Sequence, residues 1–307
     1  MAAASLELAQ RALLVYGLGS SRVESLGPSQ NSNFRVEVPG GGRFVLRLHR
    51  GPHDAHTPES ELVWVRFLRE ASLSVPEPFA LPSGSFVLSL DGHLLSLLRW
   101  VEGEVYETLE PSQARLAGAA MAGLHAQAER FAPPPGFRRP RYDGTYFRGQ
   151  LEVLRVLPPF SAADKELMSR AVSKAVAVLD EAQSDFGLIH TDFQPGNLMF
   201  SGGEAHVIDF DRCGFGAWGF DIATALGFLE KAAGEAFLEG FRNRKPLPPK
   251  LEENLEAFMA LAHLDNLAFL APRPEEARFV ETDMWPYLRQ KLAQFVKRRA
   301  GSPDPAL

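Results

Sequence analysis

The sequence predicts an α+β protein with a small strand-rich first part and a larger, mainly helical second part, and three observations carry that expectation. Up to about residue 100, apolar and polar residues alternate with period two between glycine-containing turns. From about residue 111 onward, apolar residues recur at helical spacing over long stretches. One island of strand pattern, between residues 186 and 210, interrupts those helices.

The elements follow in order. Residues 1–16 read as a short amphipathic helix, because Glu7, Gln10 and Arg11 break its apolar stretch and no basic leader precedes it. Residues 34–38 and 43–48 alternate around the turn at 39–42 and predict a hairpin. Thr57-Pro58 opens a helix over 59–70, with proline at its first position and Leu62, Val65 and Leu68 on one face. Strands at 85–90 and 93–100 flank Asp91-Gly92, a two-residue hairpin turn. Helices are expected over 112–130, 162–183, 217–239, 251–270 and 284–299, and the island contributes strands at 186–190, 198–200 and 205–210. A composition shift near Glu102-Gly103 divides the chain into residues 1–101 and 102–307.

Composition narrows the function. With 307 residues, 45% of them hydrophobic and 23% charged, the chain is an ordinary globular sequence. Its net charge of -6, from 32 Lys plus Arg against 38 Asp plus Glu, argues against nucleic acid or an anionic membrane as partner. Cys213 stands alone, so no internal disulfide speaks for an oxidising compartment. No apolar run approaches the roughly 18 residues of a membrane span. The expectation is a soluble, cytoplasmic protein.

The informative segment runs from Ile189 to Phe200 and continues at Val207-Ile208-Asp209-Phe210-Asp211. Between its halves lies Ser201-Gly202-Gly203-Glu204, a hairpin turn. Pairing symmetric about the two glycines sets Leu198 against Val207 and Asn197 against Ile208, which delivers Asp209 beside Asn197. Two carboxylates and a carboxamide then converge on one side of a short hairpin, a hard-oxygen set suited to Mg²⁺. Asp192, five residues before Asn197 in a loop with Pro195 and Gly196, can face the same space and remain free to accept a proton from a hydroxyl. The arrangement matches phosphoryl transfer: a catalytic-loop Asp, an Asn for one metal and an Asp at the next strand end. Read as plain turn-formers, the three residues would need no function.

His190-x-Asp192-x-x-Pro195-x-Asn197 together with Ile208-Asp209-Phe210 resembles the aminoglycoside phosphotransferase and choline kinase family, relatives of the protein kinases. The resemblance covers about residues 27–226. It implies a bilobal, protein-kinase-like fold with a small β-rich N-lobe, a larger mainly helical C-lobe, and ATP between them. It further implies Asp192 as catalytic base, Asn197 and Asp209 as magnesium ligands, and Asp211 in support. The first part, 1–101, would bind the nucleotide; the second, 102–307, would carry the catalytic loop and the acceptor site.

Upstream features read against that expectation. Arg47 shares a strand face with Val45, away from Phe44, Leu46 and Leu48, so it is either solvated or aimed into a cleft. The resemblance makes it the basic residue that holds the α/β phosphates, where most kinases have Lys, with Glu61 as helix partner and Glu59 as alternate. Residues 27–33, small and polar, suit backbone contact with phosphates through Ser29, Asn31 and Ser32. They lack the Gly-x-Gly-x-x-Gly of protein kinases. Trp100 and Val101 sit where a hinge would offer backbone groups to adenine.

Gly214-Phe215-Gly216-Ala217-Trp218-Gly219 satisfies Gly-x-Gly-x-x-Gly, but no βαβ unit closes after it, so the dinucleotide reading fails. The family reading makes it a short segment ending at Asp221, a helix-start residue that would brace the catalytic loop through His190. His190 itself reads as a buried scaffold residue. A metallohydrolase built on His190, Asp192, His206 and Asp209 would leave Asn197 without a role. His125 reads as packing, Glu252, Glu253 and Glu256 as a solvated helix face, and Asp265 and Asp283 as candidates for an acceptor pocket.

The expected activity is ATP-dependent transfer of a phosphoryl group to a hydroxyl of a small molecule resembling an aminoglycoside, an amino alcohol or homoserine. A cationic acceptor would fit the acidic second part. A protein Ser/Thr kinase is the second reading, disfavoured by Thr191, by Gln194 and by the short span from Asp209 to Asp221. A nucleotide-binding pseudokinase is the third.

Overall fold

The computed structural model describes residues 2–27, 31–49, 54–182 and 185–298. In chain order the elements are α1 (Ala2–Val15), β1 (Arg22–Ser25), β2 (Ser32–Glu37), β3 (Arg43–His49), α2 (His56–Glu70), β4 (Val87–Leu90) and β5 (His93–Arg99). Next come α3 (Pro111–Ala128), β6 (Arg141–Tyr142), α4 (Gly144–Val156), α5 (Ala162–Glu181), β7 (Phe186–Ile189), β8 (Leu198–Ser201) and β9 (Glu204–Val207). The chain continues with β10 (Gly214–Ala217), α6 (Trp218–Leu226), α7 (Lys231–Arg242), α8 (Leu251–Leu270), a π turn at Val280–Met284 and α9 (Trp285–Lys297). They form two units, one of residues 1–106, 130–139 and 197–211, the other of residues 107–129, 140–196 and 212–307.

The first unit is built on a five-stranded sheet in the order β1-β2-β3-β5-β4, antiparallel throughout. Alternation along β3 sends Phe44, Leu46 and Leu48 to one face, where α1 covers them with Leu8, Ala12 and Leu13. Val87 and Leu98 meet Leu62 of α2 on the other side. Both expected two-residue turns form with positive φ at each position: 51° and 76° at Asp91-Gly92, 59° and 79° at Gly202-Gly203. Such turns match the right-handed twist of the strands they join. The β8–β9 hairpin is tied to this unit by the Val207 amide on the Ser74 carbonyl at 2.9 Å and by a bridge between Glu104 and Phe200.

The second unit packs helices around α8 and carries a three-stranded sheet, β6-β10-β7. Its tightest crossing is α3 on α7. A Cβ at Gly118 would sit 1.9 Å from the Phe237 carbonyl oxygen, and one at Gly240 would sit 1.9 Å from that of Arg115. Backbone cannot yield that far locally, so two glycines facing opposite helices set the interaxial distance. Gly118→Ala should therefore destabilise the protein by about 3 kcal/mol, the upper end for overpacking, although alanine is the better helix former. A urea midpoint equal to that of the unsubstituted protein would count against the crossing.

Several expectations shift. The helix expected over 217–239 is two helices, because Gly227 and the short-range bonds of Phe228 on Ala225 and Leu229 on Leu226 end α6 in a tight turn. Helix α2 starts at His56, placing Pro58 third rather than first, with Asp54 accepting from the Thr57 amide at 3.1 Å. Strand β9 stops at Val207 rather than Phe210 because Asp209 has φ of 60° and turns the chain out of the ladder. Helix α4 and strands β1, β6 and β10 were not expected. Asp143, whose carboxylate accepts from the Thr145 and Tyr146 amides, was the available signal for α4. Gln183 and Arg299, at two expected helix ends, lie outside the described residues.

Candidate active site

In the first unit the site begins at Arg47 in the middle of β3, only 7% exposed. Its Nη1 donates to Glu61 Oε1 at 2.7 Å, and its Nη2 reaches Asp209 Oδ1 at 3.4 Å. Burial opposes the charge on Arg47, but the carboxylates of Glu61, Asp209 and Asp211 outweigh it and raise the guanidinium's pKa further. Arg47 Nε and Glu61 Oε2 are buried without a hydrogen-bond partner among the described residues. Glu59 is not an alternate partner. Two positions earlier on α2 it points about 200° around the helix. There it takes the Phe86 and Val87 amides at 3.1 and 3.0 Å and anchors the start of β4.

The hairpin register is Leu198 against Val207, and the Ile208 amide donates to the Asn197 carbonyl at 3.0 Å. Asn197 is buried, whereas the Asp209 side chain is 45% exposed on a left-handed backbone. A non-glycine residue held there carries strain of a kind found at functional sites. Asp211 Oδ2 accepts from Asn31 Nδ2 at 3.2 Å, so the polar segment before β2 is attached to the residues after β9. Ser32 opens β2 opposite Leu48. Ser29 lies outside the described residues. Trp100 and Val101 are placed by the end of β5, where the Trp100 amide meets the Arg43 carbonyl at 2.9 Å, and not by the Arg47 cluster.

The oxygen donors in this unit are the Asp209 carboxylate and the Asn197 carboxamide, with Asp211 two residues on. Among the described residues no group of three or more His, Cys, Asp or Glu forms a self-contained metal cage. That donor set fits a magnesium ion, which takes one or two carboxylates and fills its shell from water and phosphate oxygens.

In the second unit residues 190 and 191 hang on one buried carboxylate. Asp221, fully buried at the start of α6, accepts from the His190 amide at 3.1 Å, the Thr191 amide at 2.8 Å and His125 Nε2 at 2.8 Å. It holds this segment through the backbone amides of His190 and Thr191. Burial would raise its pKa, but the His125 bond and charge, His190 and the Thr191 amide hold it below the ordinary 3.8. His125 is thus a hydrogen-bonding partner and not plain packing, a role that helical periodicity on α3 cannot reveal.

Thr191 adopts φ of 65°, the second left-handed non-glycine residue at the motif. Half-buried Asp192 follows, its amide donating to His190 Nδ1 at 3.3 Å and its Oδ1 accepting from Gln194 Nε2 at 3.1 Å.

Sequence reasoning missed Arg212. Its carbonyl accepts from Thr191 Oγ1 at 2.9 Å and from the Tyr142 hydroxyl at 2.6 Å. Its guanidinium pairs with Asp265 on α8 and lies within electrostatic reach of Asp192. Asp265 therefore does not line a free pocket: it is 3% exposed and also accepts from the Tyr146 hydroxyl at 2.7 Å. Asp283 does line a cavity, of about 280 Å³, together with Thr224, His263 and Asn266. Glu256 is paired with Arg298 rather than simply solvated. Gly216 in β10 makes room for Ile189 and Gly219 in α6 makes room for Phe258, which accounts for the glycine pattern without a dinucleotide.

A sequence model of the phosphotransferase enzyme family (APH) matches residues 25–254. The chain belongs to that family. This phosphotransferase is 27% identical over 285 residues to a homoserine kinase of Chelativorans sp. (strain BNC1), covering 85% of this chain and 84% of that one. Among solved structures it is similar to a microcompartment-associated aminopropanol kinase, with 28% identity, a TM-score of 0.80, and coverage of 94% and 95% of the two chains. An amicoumacin kinase in complex with AMP-PNP and Ca²⁺ shares the fold at a TM-score of 0.79 and 19% identity, over 98% of this chain and 96% of that chain. The kinase-like fold, with strands first and helices after, is as the sequence leads one to expect. This phosphotransferase is of the kinase type, and no helix among its described residues is long and apolar enough to cross a membrane.

Proposed function

We propose that the chain transfers the γ-phosphate of ATP to a hydroxyl of a small amino alcohol, an acceptor resembling aminopropanol, homoserine or an aminoglycoside. The observation that carries the reading is the buried Arg47–Glu61 pair reaching Asp209, since a lysine- or arginine-glutamate pair beside a metal-binding aspartate is the working core of kinase-type phosphoryl transfer. Arg47 would neutralise the α/β phosphates, with Asn31, Ser32 and Ser29 near the phosphate chain and Trp100 and Val101 toward adenine. Asn197 and Asp209 would hold magnesium, which when bound offsets charge on the β- and γ-oxygens. Asp192 would orient the acceptor hydroxyl and take its proton, with Gln194 holding one carboxylate oxygen in place. Residues 1–101 would serve the nucleotide and residues 102–307 the acceptor.

The 280 Å³ cavity supports a small acceptor. Its wall residue Asn266 accepts from Arg212 Nη1 at 3.4 Å, and the carbonyl of Arg212 holds Thr191, the residue before Asp192. The Asp283 carboxylate and the rings of Phe228, Phe279 and Tyr287 around that cavity suit an ammonium group. The π turn that supplies Asp283 is a feature often found at functional sites.

The test is a screen of amino alcohols, homoserine and aminoglycosides by ADP release, run with ATP and with GTP. Turnover with one acceptor class is expected. Nucleotide binding without turnover on any acceptor would favour a pseudokinase, and labelled phosphate recovered in protein would favour a protein kinase.

A further inference from the structure

The segment 130–139, Arg-Phe-Ala-Pro-Pro-Pro-Gly-Phe-Arg-Arg, has no function in the site as described so far. It forms neither helix nor strand and belongs to the first unit, although the residues before and after it belong to the second. Its contacts concentrate on α2, the helix that carries Glu61. The Phe131 ring centroid lies 4.9 Å from that of Trp64 and 5.0 Å from that of Phe67, and Phe137 backs it at 5.2 Å. The Arg138 amide donates to Ser60 Oγ at 2.8 Å, and its guanidinium pairs with Asp54 at 3.0 Å.

Arg139 does something different. Its Nη1 donates to the Thr57 carbonyl in the first turn of α2 at 3.2 Å, while its Nη2 donates to the carbonyls of Phe210, at 3.4 Å, and Asp211. One guanidinium thus joins the helix bearing Glu61 to the segment bearing Asp209. Those carbonyls have left the β9 ladder and need donors. The charge of Arg139 also acts on Glu61 itself. Only a planar fork spans two backbone segments in this way; an ammonium is a single point.

We propose that Arg139 is a positioning residue for the nucleotide, clamping α2 against residues 210 and 211 so that Glu61 keeps Arg47 aimed beside Asp209. The inference rests on the reading of Arg47 and Asp209 as the phosphate and metal side of the site.

The test measures binding of AMP-PNP with magnesium by calorimetry, and KM for ATP and for the acceptor, in Arg139→Met, Arg139→Lys, Glu61→Gln and the Arg139→Met/Glu61→Gln double variant. Loss of charge-assisted bonds to two segments should weaken AMP-PNP binding about tenfold to a hundredfold in Arg139→Met, with a matching rise in KM for ATP and none in KM for the acceptor. Arg139→Lys should recover only part of the loss. In the Glu61→Gln background the same Arg139 change should add little, because both act on the aim of Arg47. Should Arg139→Met fail to fold by circular dichroism, Arg139→Lys carries the test. Full affinity in a folded variant overturns the proposal, as do losses that multiply in the double variant or that fall equally on the acceptor. If the unsubstituted protein binds no AMP-PNP, the nucleotide reading falls and the clamp's purpose with it, a result distinct from normal binding that ignores Arg139.

Discussion

Asp192→Ala should lower turnover by about 10² to 10⁴-fold, the range for removing a general base, while AMP-PNP affinity stays unchanged. The Asp192 carboxylate is half-buried and spends one oxygen on Gln194, so its loss removes an acceptor and leaves no buried cavity. The residues proposed to hold the nucleotide, Arg47, Asn197 and Asp209, belong to the other unit and keep their own partners. Asp192→Asn separates position from charge: its amide can still meet Gln194 but cannot take a proton. It should be nearly as inactive as the alanine variant. Near-normal turnover by either would refute the assignment of the base, and loss of AMP-PNP binding would show that Asp192 serves the nucleotide as well.

How much of this was legible in the sequence depends on how each contact is encoded. The register of β8 on β9 was readable because Gly202-Gly203 fixes a two-residue turn, and once the turn is fixed every opposing pair follows. The Arg47–Glu61 contact was readable only with the family resemblance, since strand alternation placed Arg47 on the right face but did not choose between Glu59 and Glu61. Periodicity within α2 settles that choice after the fact, by turning Glu59 away toward β4. The contacts that escaped notice join residues far apart in sequence: His125 to Asp221 across 96 positions, Arg212 to Asp265 across 53, Arg139 to Asp211 across 72. Nothing in local pattern pairs such residues. His125, Asp221 and Asp265 are buried polar side chains on mainly apolar helices, and there the transferable signal is that a buried polar group must have a partner somewhere. The same limit hid β10, where Gly-Phe-Gly-Ala reads as a loop until Ile189 and Tyr142 are seen to need the space that its glycines leave.

Asp221→Ala should be the most destabilising single change, by about 3–5 kcal/mol, because it strips one member from a buried charged network. Three donors then lose their acceptor at once, the amides of His190 and Thr191 and Nε2 of His125, in a place with no exposed surface. Asp221→Asn keeps one oxygen but turns an NH₂ toward a donor, so it should cost less, about 1–3 kcal/mol. Urea unfolding measures both. The pH dependence has a definite sign. Because the folded protein holds Asp221 below its ordinary pKa of 3.8, the unfolded chain takes up the proton first, and this stability is present above that value and lost as the pH falls below it. Asp221→Asn should remove that part of the acid sensitivity. Turnover should also fall, with KM for ATP held, because the loop that carries Asp192 would lose the anchor that keeps Thr191 in its left-handed conformation. A variant as stable as the parent, or one that loses ATP affinity and not turnover, would show that Asp221 does not brace the catalytic loop.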